Sequence, residues 1–381
     1  MSATNGEPQH GERLATRIVH AGLEPDPHYG SVIPPIHQTS TYAQAAVGEF
    51  VENYDYSRGA NPTRSALEAA LGELEGGTAL VFASGMAATT AILGSVLRPG
   101  DAVALAAECY YTTRVLARGY FAEMGVEVRL VPTVGGLDAA QVAGVRLVWL
   151  ESPTNPGLDV CDIAAIAGVA RAAGALVAVD NTTATPLGQR PLALGVDFSL
   201  ASDTKAMTGH GDLILGHVAV RETAWAERLR TWRSQTGSIA GPFEVWLAHR
   251  SLATLALRLE RQCQNALAIA EFLARRPELL RVRYPGLAGD PSHAVAQRQM
   301  HRYGPVVSFE LAGRSEAERF LSACALLDEA TSFGGVHTTA ERRARWGADA
   351  VGEGFIRLSA GCEHIDDILT DLAQALDRAR A

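Results

Sequence analysis

The stretch that decides the fold is residues 175–205, ALVAVDNTTATPLGQRPLALGVDFSLASDTK. It holds two short apolar runs, 175–179 and 196–200, and each run ends in polar side chains: Asp180 follows the first, and Ser202 to Lys205 follow the second. Short apolar runs bounded by such residues are typical of buried strands. The stretch therefore predicts two neighbouring strands with an acid and an amine at their carboxyl ends.

Similar apolar runs lie on both sides of this stretch. Helical patterns fit between most of them, as at 86–97, 112–124 and 160–173. Strands that alternate with helices need crossover connections, which predicts an α/β fold with a mostly parallel, buried sheet. The further strand candidates are 79–82, 102–105, 126–131, 146–150 and 213–220.

Three segments differ in composition. Residues 1–56 are polar, rich in Pro and Gly and poor in periodicity, and we expect an extended arm that is disordered or lies on another subunit. Residues 57–241 hold the alternating pattern and form the predicted large, cofactor-binding domain. Residues 242–381 begin with a long helical pattern at 242–275 and continue as a smaller α+β domain, with strands at 306–311 and 355–358 and helices at 315–327 and 365–379.

Bulk composition excludes several classes of protein. The 381 residues include no apolar run of the ~20 residues that cross a bilayer, and we predict neither a secretory signal nor a membrane partner. Five scattered cysteines without a CxxC pair favour reduced thiols in the cytoplasm over disulfides or a metal site. The net charge of −9 argues against nucleic acid. We expect the short basic run 342–345 to be a solvated turn.

Lys205 is the only lysine among 33 lysine and arginine residues. A guanidinium stays protonated at ordinary pH, whereas a lysine amine can lose its proton and attack a carbonyl. An arginine-rich chain that keeps one lysine indicates that this position needs a primary amine. The alternative is a lysine that survives by chance on the surface.

An amine and an acid at successive strand ends suit pyridoxal phosphate (PLP). Lys205 would hold the cofactor as a Schiff base, and Asp180 would keep its ring nitrogen protonated so that the ring accepts electrons. The alternative for Asp180 is a helix cap. Gly85 and Met86 open a helix after a strand, where backbone N–H groups favour a phosphate.

Four further positions fit the same cofactor. Ser202 and Thr204 could add hydroxyls to the phosphate site from the turn that carries Lys205. Tyr110, just past a strand, could stack on the ring, although core packing is the alternative. Asn155 could donate to the ring oxygen. No GxGxxG or Walker loop is present, which disfavours a nicotinamide dehydrogenase.

Arg357 is the candidate for binding a substrate carboxylate. It lies in the late apolar run 355–358, and a guanidinium can grip a carboxylate through two parallel hydrogen bonds. A surface ion pair, which stabilises little, is the alternative.

Taken together, these segments resemble the Cys/Met-metabolism group of PLP enzymes, which includes cystathionine γ-lyase, γ-synthase and β-lyase and methionine γ-lyase. The likeness extends over about 14–380. In chain order, the segments that carry it are Tyr56-Ser57-Arg58-Gly59-Ala60-Asn61-Pro62-Thr63-Arg64, Leu74-Glu75-Gly76-Gly77, Ser84-Gly85-Met86-Ala87-Ala88, Glu151-Ser152-Pro153-Thr154-Asn155-Pro156, Val179-Asp180-Asn181-Thr182, Ser202-Asp203-Thr204-Lys205, Gly209-His210-Gly211-Asp212 and Arg357-Leu358-Ser359.

The resemblance implies a three-layer sandwich of the fold type I class and a homotetramer built from dimers. It implies that Lys205 carries the cofactor and moves protons, and that Tyr56 and Arg58 complete the phosphate site of the neighbouring subunit. It also implies that Arg357, with Thr338 beside it, binds the α-carboxylate of the substrate. The remaining cofactor contacts that it implies are those of Gly85, Met86, Tyr110, Asn155, Asp180, Ser202 and Thr204. Tyr110 is also a candidate catalytic residue, and Asn155 is also a candidate substrate contact.

Departures from the family pattern concern the distal part of the substrate. Ala206 stands where the family usually has tyrosine, His337 where cystathionine-specific members tend to have glutamate, and Val115 where they tend to have arginine. Thr112 replaces the cysteine typical of methionine γ-lyases. The leading expectation is γ-elimination on the sulfur amino acid L-cystathionine, giving cysteine, 2-oxobutanoate and ammonia. Alternatives are γ-replacement on an O-acyl-L-homoserine, methionine γ-lyase or cystathionine β-lyase activity, and a non-catalytic binding protein on the same scaffold.

Overall fold

The structure is a computed structural model that describes residues 13–380. Its N-terminal segment begins with a short helix, α1 (Leu14–His20), and continues through irregular backbone to a small hairpin of β1 (Gln44–Ala46) and β2 (Glu49–Phe50). Only Ile18 of α1 is buried. The segment contacts its own subunit in places, since Trp246 Nε1 donates to the Pro34 carbonyl oxygen at 2.9 Å, but the apolar side chains of Val32 and Val47 are exposed.

The first long helix is α2 (Pro62–Glu75), and its ends follow from the sequence. The side chain of Asn61 accepts hydrogen bonds from the N–H groups of Thr63 and Arg64, and Pro62 occupies the first helical position, where its missing N–H costs nothing. Gly76 ends the helix with a positive φ of 74°, which glycine adopts without strain.

A seven-stranded sheet forms the centre of the large domain. Six strands run in one direction, and the last strand in sequence lies antiparallel between the first and the sixth, so the predicted mostly parallel sheet is confirmed. The strands are β3 (Thr78–Phe82), β4 (Ala102–Ala106), β5 (Glu127–Val131), β6 (Leu147–Glu151), β7 (Leu176–Asp180), β8 (Phe198–Ala201) and β9 (Gly216–Val220), in the order β3-β9-β8-β7-β6-β4-β5.

Helices cover both faces of this sheet, which confirms the three-layer α/β prediction. Side chains of α2 and of α5 (Ile163–Ala172) pack with one face in one apolar core. Those of α3 (Gly85–Val96) and α7 (Thr223–Thr236) pack with the opposite face in a second core. The helices of the layer arrangement are α3 (Gly85–Val96), α4 (Tyr111–Leu116) with a π-helical continuation at Ala117–Phe121, α5 (Ile163–Ala172), α6 (Thr185–Gly188) and α7 (Thr223–Thr236).

The predicted long helix at 242–275 is two helices, α8 (Pro242–Leu252) and α9 (Leu255–Ala274), which break at residues 253–254. They lead into a smaller domain with its own apolar core. That domain contains β10 (Arg281–Arg283), α10 (His293–Gln299), β11 (Val306–Glu310), α11 (Arg314–Ala323), β12 (Asp328–Glu329), β13 (Thr339–Arg342), β14 (Phe355–Ser359) and α12 (Ile365–Arg380), with sheet order β10-β11-β14-β13-β12.

Among the helices of residues 13–380, none combines the length and the apolar character that crossing a bilayer requires.

Candidate active site

One cavity lies at the carboxyl ends of the parallel strands, where the small domain meets the large one. Its volume is about 420 Å³. Strands β4, β6, β7 and β8 are neighbours that run in one direction, so the residues that follow them meet at one edge of the sheet. The side chains that matter here are those of Tyr110, Glu151, Asn155, Asp180, Ser202, Thr204 and Lys205 from the large domain and Ser332, Phe333, Arg343, Trp346 and Arg357 from the small domain.

Lys205 projects its amine into this cavity. Nζ donates a hydrogen bond to Ser332 Oγ at 2.6 Å and lies 5.3 Å from the centre of the Phe333 ring. Burial lowers the pKa of the amine to about 8, and the positive charge of Arg357 acts in the same direction. A large share of the amine is therefore neutral near pH 8, which is the form that attacks a carbonyl.

Asp180 ends β7 beside the lysine-bearing turn. Its Oδ1 accepts hydrogen bonds from the Thr182 N–H at 3.0 Å and the Thr182 hydroxyl at 2.6 Å. Burial raises the pKa of Asp180, while these hydrogen bonds and the charges of His217 and Lys205 oppose that rise. Asp180 does not cap the next helix, because α6 begins five residues later with Ala184 at its N-cap position.

Glu151 is a buried acid that the sequence analysis did not single out. It ends β6 in register with Asp180 on β7, and its two oxygens accept the N–H of Tyr110 at 2.5 Å and the N–H of Asn155 at 2.8 Å. Burial raises the pKa of Glu151 well above its usual value, and the nearby Asp180 adds to this. The carboxylate thus positions the backbone of two predicted cofactor contacts. The sequence signal that could have identified Glu151 is its position directly after an apolar run.

The predicted phosphate residues meet at the start of α3. Gly85 packs so closely on the lysine-bearing turn that an added Cβ would lie 2.7 Å from Ser202 Cβ, so glycine is required there. Gly85, Met86, Ser202 and Thr204 all line the cavity. The Ser202 N–H donates to the Thr182 hydroxyl at 2.8 Å. The Thr204 hydroxyl accepts from the Leu215 N–H at 3.1 Å, so it also ties the turn to the chain before β9.

Arg357 lies in β14 at the opposite wall of the cavity and is 3% exposed, which excludes the surface ion pair. Its Nη1 donates to Asn155 Oδ1 at 2.8 Å, and its Nη2 donates to the Ser332 carbonyl oxygen at 2.6 Å. Nη2 also pairs with the carboxylate of Glu341. Burial lowers the pKa of the guanidinium to about 10, and Glu341 opposes the shift. Asn155 therefore contacts Arg357 as well as lining the cavity.

The expectation of a solvated turn at 342–345 is wrong. Arg343 is buried and lines the cavity: Nη1 donates to Glu341 Oε1 at 2.7 Å, and Nη2 donates to Asp349 Oδ2 at 2.6 Å. Glu341 also accepts from Trp346 Nε1 at 2.9 Å. Arg343 faces inward because two buried carboxylates, on β13 and in the following loop, satisfy its charge, whereas Arg345 at the end of the run is exposed.

The structure does not bring three predicted residues to the cavity. The Thr338 hydroxyl donates to Glu363 Oε2 at 2.7 Å, in the interior of the small domain. Tyr56 is exposed, and the guanidinium of Arg58 lies 5.5 Å from its ring. Both remain accessible to a second subunit.

A family model and several relatives match nearly the whole chain. The family model for Cys/Met metabolism PLP-dependent enzymes matches residues 15–377. A Streptomyces coelicolor protein that is provisionally named a cystathionine gamma-lyase is 52% identical over 379 residues, covering 96% of this chain and 96% of that protein. The cystathionine gamma-synthase of Mycobacterium tuberculosis is 41% identical, covering 95% of this chain and 96% of its own.

Solved structures share the whole fold. The crystal structure of metB from Corynebacterium glutamicum superposes with a TM-score of 0.93 at 38% identity, covering 96% of this chain and 98% of that one. Family model, relatives and structure all extend over nearly the full chain. This chain therefore belongs to the Cys/Met metabolism family of PLP-dependent enzymes.

Proposed function

We propose that the protein catalyses the γ-elimination of L-cystathionine, which with one water gives L-cysteine, 2-oxobutanoate and ammonia. The observation that carries the proposal is the convergence of the Lys205 amine, the Asp180 carboxylate and the Arg357 guanidinium on one cavity. A relative at 52% identity bears the provisional name of that lyase, which supports this reaction over its alternatives.

The residues of the cavity fit PLP. Its volume of about 420 Å³ lies in the range of small-molecule sites. Gly85 and Met86 open α3, where the first N–H groups have no partner within the helix. The N–H of Ala87 donates to Ser84 Oγ at 3.0 Å, and Gly85 lies against Ser202, an arrangement that suits a phosphate. Asp180 would face the ring nitrogen, Tyr110 would stack on the ring, and Asn155 would contact the ring oxygen.

When bound, PLP supplies a ring that withdraws electrons from the substrate α-carbon, which makes the α-proton removable near neutral pH. Lys205 Nζ would hold the cofactor until the substrate amine displaces it, and the freed amine would take the proton from the α-carbon. It would have to give that proton up before it takes a proton from Cβ as the γ-sulfur leaves, and the departing sulfur takes up a proton to become the thiol of cysteine. The lowered pKa of Lys205 suits this role, since a general base works best when its pKa is close to the operating pH. Arg357 would bind the α-carboxylate of the substrate.

The test is an assay of purified protein with PLP and L-cystathionine, with 2-oxobutanoate and cysteine quantified separately. The expected result is equal amounts of both products. The Lys205→Arg variant is the negative control, because its guanidinium cannot act as the base. Borohydride reduction followed by peptide mapping should leave the cofactor attached to Lys205. If cystathionine yields no keto acid, the lyase proposal fails.

A second candidate is γ-replacement on an O-acyl-L-homoserine. The specific support is the 41% identity to a cystathionine gamma-synthase and the close superposition on metB. Incubation with an O-acyl-L-homoserine and cysteine distinguishes the two, because the synthase releases the acid of the acyl group and forms cystathionine.

We also infer a homotetramer in the cytoplasm, in which Tyr56 and Arg58 complete the phosphate site of the neighbouring subunit. The exposed positions of both side chains and the five free thiols support this inference.

A further inference from the structure

A cluster of three titratable side chains lies outside the cavity, behind the turn that carries Lys205. His217 on β9 has a carboxylate oxygen at hydrogen-bond distance from each of its ring nitrogens. Nδ1 lies 2.7 Å from Asp203 Oδ1, and Nε2 lies 3.1 Å from Glu75 Oε1. The side chains of His217 and Glu75 are 0% exposed, and that of Asp203 is 4% exposed. We call these residues the Glu75–His217–Asp203 triad.

The geometry favours the charged form of the imidazole. A neutral imidazole has one N–H and one lone pair, so it can donate to one carboxylate only and would turn its lone pair toward the other. With a carboxylate at hydrogen-bond distance from each nitrogen, both nitrogens donate in the imidazolium form. Burial lowers the pKa of His217, but the charges and hydrogen bonds of Asp203 and Glu75 outweigh it and raise the pKa to about 10.

The strands beside His217 add no charge to the triad. On the sheet, the neighbours of His217 across the strands are Val81 on β3 and Ala201 on β8, which carry no charge. Glu75 comes from the last turn of α2, and Asp203 comes from the turn after β8. Toward the cavity, the charge of His217 favours the ionised form of Asp180.

Asp203 connects the triad to the cavity. It lies between Ser202 and Thr204, which line the cavity, and two residues before Lys205. Its backbone carbonyl oxygen accepts a hydrogen bond from the Thr208 hydroxyl, and its carboxylate contacts His217. Both the backbone and the side chain of Asp203 are therefore held in position. The lysine-bearing turn is thereby attached to β9, and through Glu75 to α2.

Buried ions are an expensive way to hold a turn, because apolar side chains of similar size often stabilise a fold as well or better. Charged groups do fix direction, since each hydrogen bond requires a donor and an acceptor in one orientation. We propose that the Glu75–His217–Asp203 triad contains a permanent imidazolium and is a positioning device that holds the Lys205 turn in place. The inference deepens the proposed function, because it rests on Lys205 being the working amine.

The charge of His217 is tested on the unaltered protein. Histidine labelled with ¹⁵N gives different shifts for a protonated nitrogen and for a bare one. Spectra of the apoprotein are recorded between pH 6 and pH 9, a range in which an ordinary histidine, with a pKa of about 6.5, passes from mostly protonated to neutral. We expect both nitrogens of one histidine to stay protonated throughout, and this signal to disappear in His217→Gln. A bare nitrogen at His217 near neutral pH would overturn the imidazolium.

The positioning role is tested by labelling the apoprotein with an amine-specific reagent. Because Lys205 is the only lysine, peptide mapping separates its adduct from that of the chain terminus. Asp203→Asn and Glu75→Gln form a matched pair. Each variant removes the negative charge of one carboxylate that contacts the His217 imidazole, but only Asp203 belongs to the lysine-bearing turn. The measured quantities are the limiting labelling rate and its pH midpoint.

We expect Asp203→Asn to raise the limiting rate and to move the midpoint upward by about one pH unit, because a released turn exposes the amine to water. Loss of the Asp203 charge without movement would shift the midpoint downward, since a nearby negative charge favours the protonated amine. Glu75→Gln should leave the rate within about twofold of the unaltered protein, because it leaves the turn tied to His217.

Three outcomes overturn the positioning role: no shift in Asp203→Asn, a downward shift there, or equal effects in both variants, which would indicate general destabilisation. If Asp203→Asn does not fold, Asp203→Glu is labelled instead, with the same upward shift expected because the longer side chain displaces the turn. Neither labelling nor spectroscopy requires turnover, so failure of the lyase assay leaves this test intact.

Discussion

Glu341 is the buried carboxylate whose loss should cost the most in the small-domain wall of the cavity. Its side chain is 0% exposed, and its two oxygens accept from Arg357, from Arg343 at 2.7 Å and from Trp346 at 2.9 Å. Burial raises the pKa of Glu341, but Arg357, Trp346 and Arg343 outweigh it, so the pKa lies below its ordinary value. Glu341→Gln keeps the shape and removes the charge.

The magnitude follows from the hydrogen bonds. Gln has one acceptor oxygen, and its amide nitrogen must face a donor, so one buried N–H loses its partner at a cost of about 1–3 kcal/mol. The two guanidinium bonds keep a charged donor but lose the charged acceptor, about 1 kcal/mol each. The sum is about 3–5 kcal/mol, the same range as for breaking a buried ion pair.

The assay is urea unfolding of the apoprotein at one protein concentration, followed by tryptophan fluorescence. The matched control is Glu329→Gln, which removes a partly exposed carboxylate that lies 2.7 Å from Arg345 of the same run. Exposed pairs contribute about 0–1 kcal/mol, so the control should unfold nearly as the unaltered protein does.

A second readout concerns the site. Glu341 holds Arg357 in orientation, so its loss should raise the KM for cystathionine more than it lowers kcat. The reasoning is refuted if Glu341→Gln lowers the free energy of unfolding by no more than Glu329→Gln does, because two buried guanidiniums would then need no carboxylate between them.

Three further predictions follow from the same geometry. In the unaltered apoprotein, amine labelling of Lys205 should have its midpoint near pH 8, because burial lowers the pKa to about 8. At that pH half of the amine is neutral, whereas only about 0.3% of an ordinary lysine is. A midpoint above pH 10 would contradict this. Glu151→Ala should lower the free energy of unfolding by about 2–6 kcal/mol in urea, since it leaves two buried N–H groups without an acceptor; a loss below about 1 kcal/mol would show that water replaces the carboxylate. Arg357→Lys should raise the KM for cystathionine by about tenfold or more, because an ammonium cannot form two parallel bonds to a carboxylate; an unchanged KM would remove Arg357 from substrate binding.

The parts of the fold that local patterns encode were predictable. The predicted strands of the central sheet lie within a few residues of the observed ones, since buried strands are short apolar runs ended by polar residues. The break between α8 and α9 was missed because the helical pattern continues through residues 253–254 without a proline or glycine. The inward position of Arg343 was also missed, because a run of arginines looks the same whether water or buried carboxylates satisfy it.

The sequence by itself determined that this protein has a mostly parallel sheet, with its single lysine, Lys205, and an acid, Asp180, after successive strands, because these follow from residue type and from spacing along the chain. Only the tertiary structure decided which distant groups meet: Glu75 and His217 are 142 positions apart, and Arg357 and Asn155 are 202 apart. Periodicity reports the face on which a side chain lies, and it contains no information about the partner that packs there. Ion pairs and hydrogen bonds between separate elements depend on distances of a few ångströms, which only the packed chain defines.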